Sequence, residues 1–228
     1  MKKNLLHYGL QRSGTNYLEN LLKKNFQVNI LNSNEDRAHP LQKHFRLYDE
    51  KNLIPEPQYD NNLFFSHFWE YLESLEIEQR IDGIIIISKD PYSWFLSYMN
   101  WRANCDWPEA EHHYAQEYNL FYKKWLSFSE QDDRIHFVRY VDLLSNPSDE
   151  LKIIKKKYKL SLNLITKLGG VKSSFKKVAH SKSFSNKRVD YYLNKGFLSD
   201  YDNDSLEKIN KIVEPELLKS MNYERIKN

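Results

Sequence analysis

Two glycines, Gly9 and Gly14, bracket the stretch with the most chemical potential in this chain, Tyr8-Gly9-Leu10-Gln11-Arg12-Ser13-Gly14-Thr15-Asn16-Tyr17. Their spacing, G-x-x-x-x-G, is that of a phosphate-binding loop, but Thr15 and Asn16 stand where such a loop continues with Lys and Ser/Thr. Without that Lys and the magnesium-binding hydroxyl after it, ordinary ATP hydrolysis is disfavoured. The cation lies inside the loop instead, at Arg12. A turn between a strand and a helix aims several backbone N–H groups and the positive end of a helix dipole at one spot, which suits a phosphate or a sulfate.

A second constellation is Ser88-Lys89-Asp90-Pro91-Tyr92-Ser93-Trp94-Phe95-Leu96-Ser97-Tyr98. Lys89 ends the most apolar strand of the chain, and Ser97 follows eight residues later on the next helix. Strand end and helix start meet at the carboxyl edge of an open α/β sheet, where ligands bind. Taken alone, the pair is a strand-ending lysine and a helix-surface serine; together with the first loop it reads as a second anion contact.

The elements that must position these groups alternate between strand and helix, which favours an α/β fold with a mostly parallel central sheet flanked by helices. A short apolar run, Asn4 to Tyr8, precedes the loop, and Leu18, Leu21 and Leu22 follow at helical spacing. Strands are expected at Gln27 to Leu31, at Leu63 to Ser66, at Gly83 to Ser88 with its four consecutive isoleucines, and at Ile135 to Val138. Helices are expected at Phe68 to Glu78, from Pro91 onward, at Glu109 to Phe128, at Pro147 to Tyr158 and at Asn203 to Ser220. Residues 32 to 61 read as a long polar loop of the kind that usually carries function. Residues 161 to 200 read as irregular and basic. The pattern shows no internal repeat and no domain boundary, so residues 1–228 are expected to form one domain.

Forty per cent apolar and 29% charged residues describe a globular chain. A net charge of +3 does not by itself predict a nucleic-acid partner. The single Cys105 excludes an intramolecular disulfide and a cysteine-cluster metal site. No apolar run approaches 18 residues, and Met1-Lys2-Lys3 leads into a strand too short for a signal peptide, so no membrane partner and a cytoplasmic location are expected.

Arg12-Ser13-Gly14-Thr15-Asn16-Tyr17 resembles the K/R-S-G-T-T/S-W/Y signature of sulfotransferases, which bind the phosphosulfate end of 3′-phosphoadenosine 5′-phosphosulfate (PAPS). The Lys89 segment is similar to that family's R-[DN]-P-x-x-x-x-x-S pattern, whose Arg and Ser hold the 3′-phosphate. Lys89 and Ser97 take those two positions, a point charge replacing a bidentate fork. Tyr191-Tyr192-Leu193-Asn194-Lys195-Gly196-Phe197-Leu198-Ser199-Asp200 resembles the family's R-K-G stretch, which closes over the 3′-phosphate. Lys195 and Gly196 match, while Asn194 departs from the Arg; Lys187 and Arg188 are near enough in sequence to replace its charge. Val138-Arg139-Tyr140-Val141-Asp142-Leu143-Leu144 is like the family's R-Y-E-D-L strand end, with Tyr140 placed to contact adenine. Tyr17 stands where the family often sets a Trp against the adenine ring.

The resemblance implies a P-loop NTPase-like fold of sulfotransferase type, PAPS as co-substrate, no metal, and transfer to a hydroxyl or amine of a carbohydrate or small molecule. A Golgi sulfotransferase would carry a membrane anchor, and with no apolar run approaching 18 residues none is expected here. In such an in-line displacement Arg12 and the amides of Ser13 to Asn16 would neutralise the departing oxygens, with Thr15 and Asn16 adding side-chain hydrogen bonds. The acceptor needs a general base, for which a neutral His is suited. Lys43-His44-Phe45 resembles the family's K-x-H pair in chemistry, with Lys43 able to steady the leaving oxygen; Ser66-His67-Phe68 resembles it in position. His44 and His67 are therefore rivals, and Glu35 is a third candidate. The loop at 32 to 61 and the segment Tyr92 to Tyr122 are expected to line the acceptor pocket, with Trp94, Trp101 and Trp107 either stacking there or belonging to the core. Two other classes stay open: a P-loop kinase or nucleotidase, and a non-catalytic nucleotide or polyanion binder using the basic 167 to 188 region.

Overall fold

The computed structural model describes residues 2–33, 43–45, 68–105, 113–163 and 186–226. Strand β1 (Lys3–Leu10) leads through the glycine loop into helix α1 (Thr15–Asn25), and β2 (Val28–Ile30) and the two-residue β3 (His44–Phe45) follow. Helix α2 (Phe68–Glu78), β4 (Gly83–Ser88), α3 (Pro91–Cys105), α4 (Ala115–Gln131) and β5 (Ile135–Arg139) complete the framework. Then come α5 (Tyr140–Ser145), α6 (Pro147–Tyr158), α7 (Asn186–Leu193), a 3₁₀ turn (Gly196–Asp200), α8 (Asn203–Ile212) and α9 (Pro215–Ser220).

The sheet runs β2-β1-β4-β5, every pairing parallel, with β3 added beside the carboxyl end of β1. All six residues of β4 are buried, as expected of a strand covered on both faces. Alternation sorts the side chains into two cores. Leu6, Tyr8, Ile84 and Ile86 pack with the aromatics of α3 and α4, whereas Leu5, Ile85, Ile87 and Val138 pack against α1 and α6. The expected α/β architecture is therefore the observed one. Tyr8, Phe68, Trp125 and Phe128 stack edge and face within the first core. Trp94 is also buried there, so it is a core residue, not an acceptor platform; Trp107 lies outside the described residues, as does the strand expected at 63 to 66.

Local chemistry sets several boundaries. Pro91 occupies the first turn of α3, and Asp90 accepts from the amides of Tyr92 and Ser93 at 3.0 and 3.1 Å. Asn146 and Pro147 start α6 in the same way, and Lys159 closes it in the left-handed region. The helix expected over 203 to 220 is two helices. Pro215 cannot continue α8 and forces Glu214 into an extended conformation, so the chain turns and restarts as α9. The region expected to be irregular up to residue 200 contains α7 and the 3₁₀ turn; α4 runs from Ala115, and the expected start at Glu109 lies outside the described residues. Among the described residues no helix is long and apolar enough to cross a membrane.

Candidate active site

The glycine loop leaves β1 at its carboxyl end and folds back on itself, the amide of Ser13 donating to the carbonyl of Leu10 at 3.0 Å. Gly14 then caps α1 at φ 107°, a left-handed conformation costly for any side chain. A Cβ at Gly14 would also lie 2.5 Å from Cδ2 of Tyr140. Arg12 holds φ 74°, a strained value for a residue with a side chain and a recurrent mark of binding loops. Of the first-turn amides of α1, that of Tyr17 donates to the carbonyl of Gly14 at 2.9 Å, and those before it aim with the helix dipole past this turn. Trp94 on α3 donates from Nε1 to the carbonyl of Gln11 at 2.9 Å, which ties the loop to the second constellation.

That constellation begins at the end of β4, whose last carbonyls are held by two phenols of α4. Tyr122 donates to Ile87 at 3.0 Å and Tyr118 to Lys89 at 2.9 Å. So fixed, Lys89 turns a buried ammonium to Ser97, donating to its Oγ at 2.6 Å. The same ammonium lies 4.2 Å from the Tyr192 ring centroid and 5.5 Å from that of Tyr140. Burial pushes the Lys89 pKa down to about 8; Tyr192 works against the fall, and Arg12 and Arg188 add to it. Burial likewise lowers the Arg12 guanidinium, with Arg188 next in effect. Burial alone would raise the Tyr192 phenol, but Lys89, Ser97 and Arg188 draw it below its ordinary value. Arg12 and Arg188 thus both disfavour the charge on Lys89, and Arg188 that on Arg12, so three cations from three separate elements lie near one another, an arrangement that an anion would relieve.

Beside them opens a cavity of about 220 Å³, lined by Lys89, Asp90, Ser93, Tyr140, Tyr192, Lys195 and the C-terminal residues Asn222 to Glu224, among others. Lys195, left-handed at φ 52°, pairs with Glu224 at 2.7 Å, and Gly196 opens the 3₁₀ turn behind it. Burial raises the Asp90 carboxyl to about 6 in spite of its two amide bonds and the nearby Lys195 and Lys89. Tyr140 packs edge-on to Tyr17 and Tyr192, at 5.9 and 5.5 Å between centroids. Tyr17 itself is buried, and its hydroxyl donates to the carbonyl of Leu143 at 3.4 Å, so its ring supports Tyr140 more than it faces the cavity. Asn16 is exposed at the rim of the loop.

The other edge of the loop carries β3. The amide of Gly9 donates to the carbonyl of Lys43 at 3.0 Å, and Gly9 pairs with His44 in parallel register. His44 Nδ1 comes within 2.7 Å of Thr15 Oγ1. Lys43, by contrast, turns to Glu19 Oε2 at 2.5 Å. Glu19 also takes Lys23 at 2.6 Å, Ser33 at 2.7 Å and the fully buried His7 at 3.2 Å. Burial alone would raise the Glu19 carboxyl, but these four partners hold it far below the usual carboxylate range.

Of the expected site residues, Arg12, Thr15, Lys89, Ser97, Tyr140 and Arg188 are brought to one end of the sheet, with Lys195 at the cavity and His44 across the loop. His67 and Glu35 lie outside the described residues. Sequence reasoning missed Glu19, Tyr192 and the C-terminal residues Asn222 to Glu224. Only Glu19 left a local signal, its i,i+4 spacing from Thr15. Among the described residues no group of three His, Cys, Asp or Glu stands together as a metal site.

A family profile described as the sulfotransferase domain matches residues 2–214. No curated protein matches the sequence. Among solved structures, mouse sulfotransferase SULT7A1 complexed with PAP is similar at a TM-score of 0.42 and 14% identity, covering 97% of this chain and 86% of that chain.

Proposed function

This chain belongs to the sulfotransferase family, and from that premise we propose that it transfers a sulfuryl group from PAPS to a hydroxyl or amine acceptor, a carbohydrate or small molecule. The observation that carries the proposal is the convergence of Arg12, Lys89 and Arg188 around the buried end of the sheet. Among the described residues no carboxylate pairs with Lys89, whose ammonium donates to Ser97. A molecule with anionic groups at two ends fits this set. PAPS, when bound, supplies an activated sulfuryl group at one end and a 3′-phosphate at the other.

In this reading Arg12 and the backbone amides of Gly14 to Asn16 hold the phosphosulfate, the Ser13 amide being held by the Leu10 carbonyl, and the hydroxyl of Thr15 and the side-chain amide of Asn16 add hydrogen bonds to it. Gly14 keeps the backbone open to that approach. Lys89, Ser97 and Arg188 hold the 3′-phosphate, Lys195 and Gly196 close over it, and Tyr140 flanks the adenine. His44, bonded to Thr15 at the rim of the same loop, takes the acceptor's proton. Charge stabilisation by fixed groups supplies most of the rate in such a site.

Calorimetric titration with 3′-phosphoadenosine 5′-phosphate (PAP) and with ATP–magnesium tests the assignment. PAP is expected to bind far more tightly; the reverse order would make this a kinase-like enzyme. Arg12→Ala is expected to abolish transfer from PAPS while the fold survives.

A further inference from the structure

Thr15 and Glu19 sit one helical turn apart on the same face of α1, and that face meets β3 at His44 through Thr15 and the residue just before β3, Lys43, through Glu19. β3 has only two residues, too few to hold its own place by backbone pairing. Among the described residues, the amide of Gly9 on the Lys43 carbonyl and these two side-chain contacts add to the short pairing with β1.

We infer that Glu19 is a positioning residue, which sets the ring of His44 through Lys43. The inference rests on the proposed reading of His44 as base. Lys43 is only 12% exposed at its side chain and Glu19 11%, so the pair is shielded from competing water. His7, Lys23 and Ser33 brace the carboxylate from the other sides, leaving it one orientation from which to hold Lys43. Removing the carboxylate leaves Lys43 charged and unpartnered in a half-buried place. The lysine then turns outward and takes its neighbour's backbone with it. Lys43 accordingly acts on the site through His44 and not on the departing oxygen.

The test is a long-range ¹H–¹⁵N spectrum of the histidine rings in the wild type, Glu19→Gln and Lys43→Met, with His44→Gln for assignment and PAP affinity from calorimetry. In the wild type, His44 should show one fixed tautomer, with Nδ1 engaged by Thr15. In both variants it should move to the averaged pattern of a free imidazole, with PAP affinity unchanged. Turnover, followed as sulfuryl transfer from p-nitrophenyl sulfate to PAP, should fall about 10- to 100-fold, as expected for a displaced catalytic group. Lys43→Met leaves the other three Glu19 contacts in place and serves if Glu19→Gln does not fold. An unaltered His44 spectrum in a folded variant overturns the inference, as does a matching loss of PAP affinity, which would mark Glu19 as a general scaffold residue. If His44→Ala keeps full turnover, the reading of His44 as base falls instead, and the spectrum still decides whether Glu19 sets the ring.

Discussion

Lys89 Nζ lies 2.6 Å from Ser97 Oγ, a contact between the end of β4 and the second turn of α3. The ammonium is buried, the hydroxyl donates in turn to the carbonyl of Ser93 at 2.9 Å, and Arg12 and Arg188 act against the ammonium's charge. In the free protein this lysine has no carboxylate salt bridge among the described residues, and the Tyr192 phenol is the group that favours its charge most.

Replacing Lys89 should weaken the nucleotide at one end only. Lys89→Met is expected to lose about 2–5 kcal/mol of PAP binding, the usual cost of removing one partner of a buried charged pair, which is ~30-fold or more in Kd. Adenosine 5′-phosphosulfate, which lacks the 3′-phosphate, should lose little. Calorimetry with the two nucleotides makes the comparison, and equal losses would place Lys89 elsewhere.

The same lysine gives PAP binding a pH dependence of known sign. With its pKa near 8 in the free protein, Lys89 is charged below that value and loses its proton above it. A bound phosphate favours the charged form, so binding above this pKa takes up a proton and affinity falls as pH rises, by up to about tenfold per unit. Ionisation of the Tyr192 phenol acts in the same direction. Lys89→Arg keeps its charge and should flatten the profile measured from neutral pH into the alkaline range. Folding stability has the opposite sign. An unfolded lysine keeps its proton to about 10.5 and the folded one to about 8, so between these values the unfolded chain binds more protons and stability rises with pH.

Gly14→Ala combines a left-handed backbone with a filled space. The conformation costs roughly 1–2 kcal/mol, and the new methyl would meet Tyr140 at 2.5 Å. A lower melting temperature and loss of PAP binding are expected together, because Tyr140 has to move from the cavity wall.

Thr15→Val retains the shape of the side chain and removes the partner of His44 Nδ1. PAP affinity should fall only slightly, since the loop amides remain. The pH–rate profile should shift, because the imidazole loses the contact that sets its tautomer. An unmoved profile would separate His44 from the chemistry.

The parts of the fold that were legible in the sequence are those where short-range signals agree. Ile84 to Ile87 could only be a buried strand, and Pro147 with its acidic first turn and lysine-rich last turn fixed α6 to the residue. The glycine loop was legible because conformation and chemistry meet within six residues. What escaped depends on distant partners. α7 forms in a basic, polar stretch because Tyr191 and Tyr192 pack on Phe197 and Tyr140. Lys43 was expected at the departing oxygen; Glu19 holds it, a residue 24 positions earlier. Glu224 reaches Lys195 through a C-terminal segment whose path follows from the break at Pro215.

The indole bond from Trp94 to Gln11 has a metric consequence. It couples the turn that bears Arg12 to the helix that bears Ser97, as two jaws of one caliper. If the two jaws hold the two charged ends of the proposed nucleotide, a molecule charged at only one end can close just one of them, and length is discriminated before any chemistry begins.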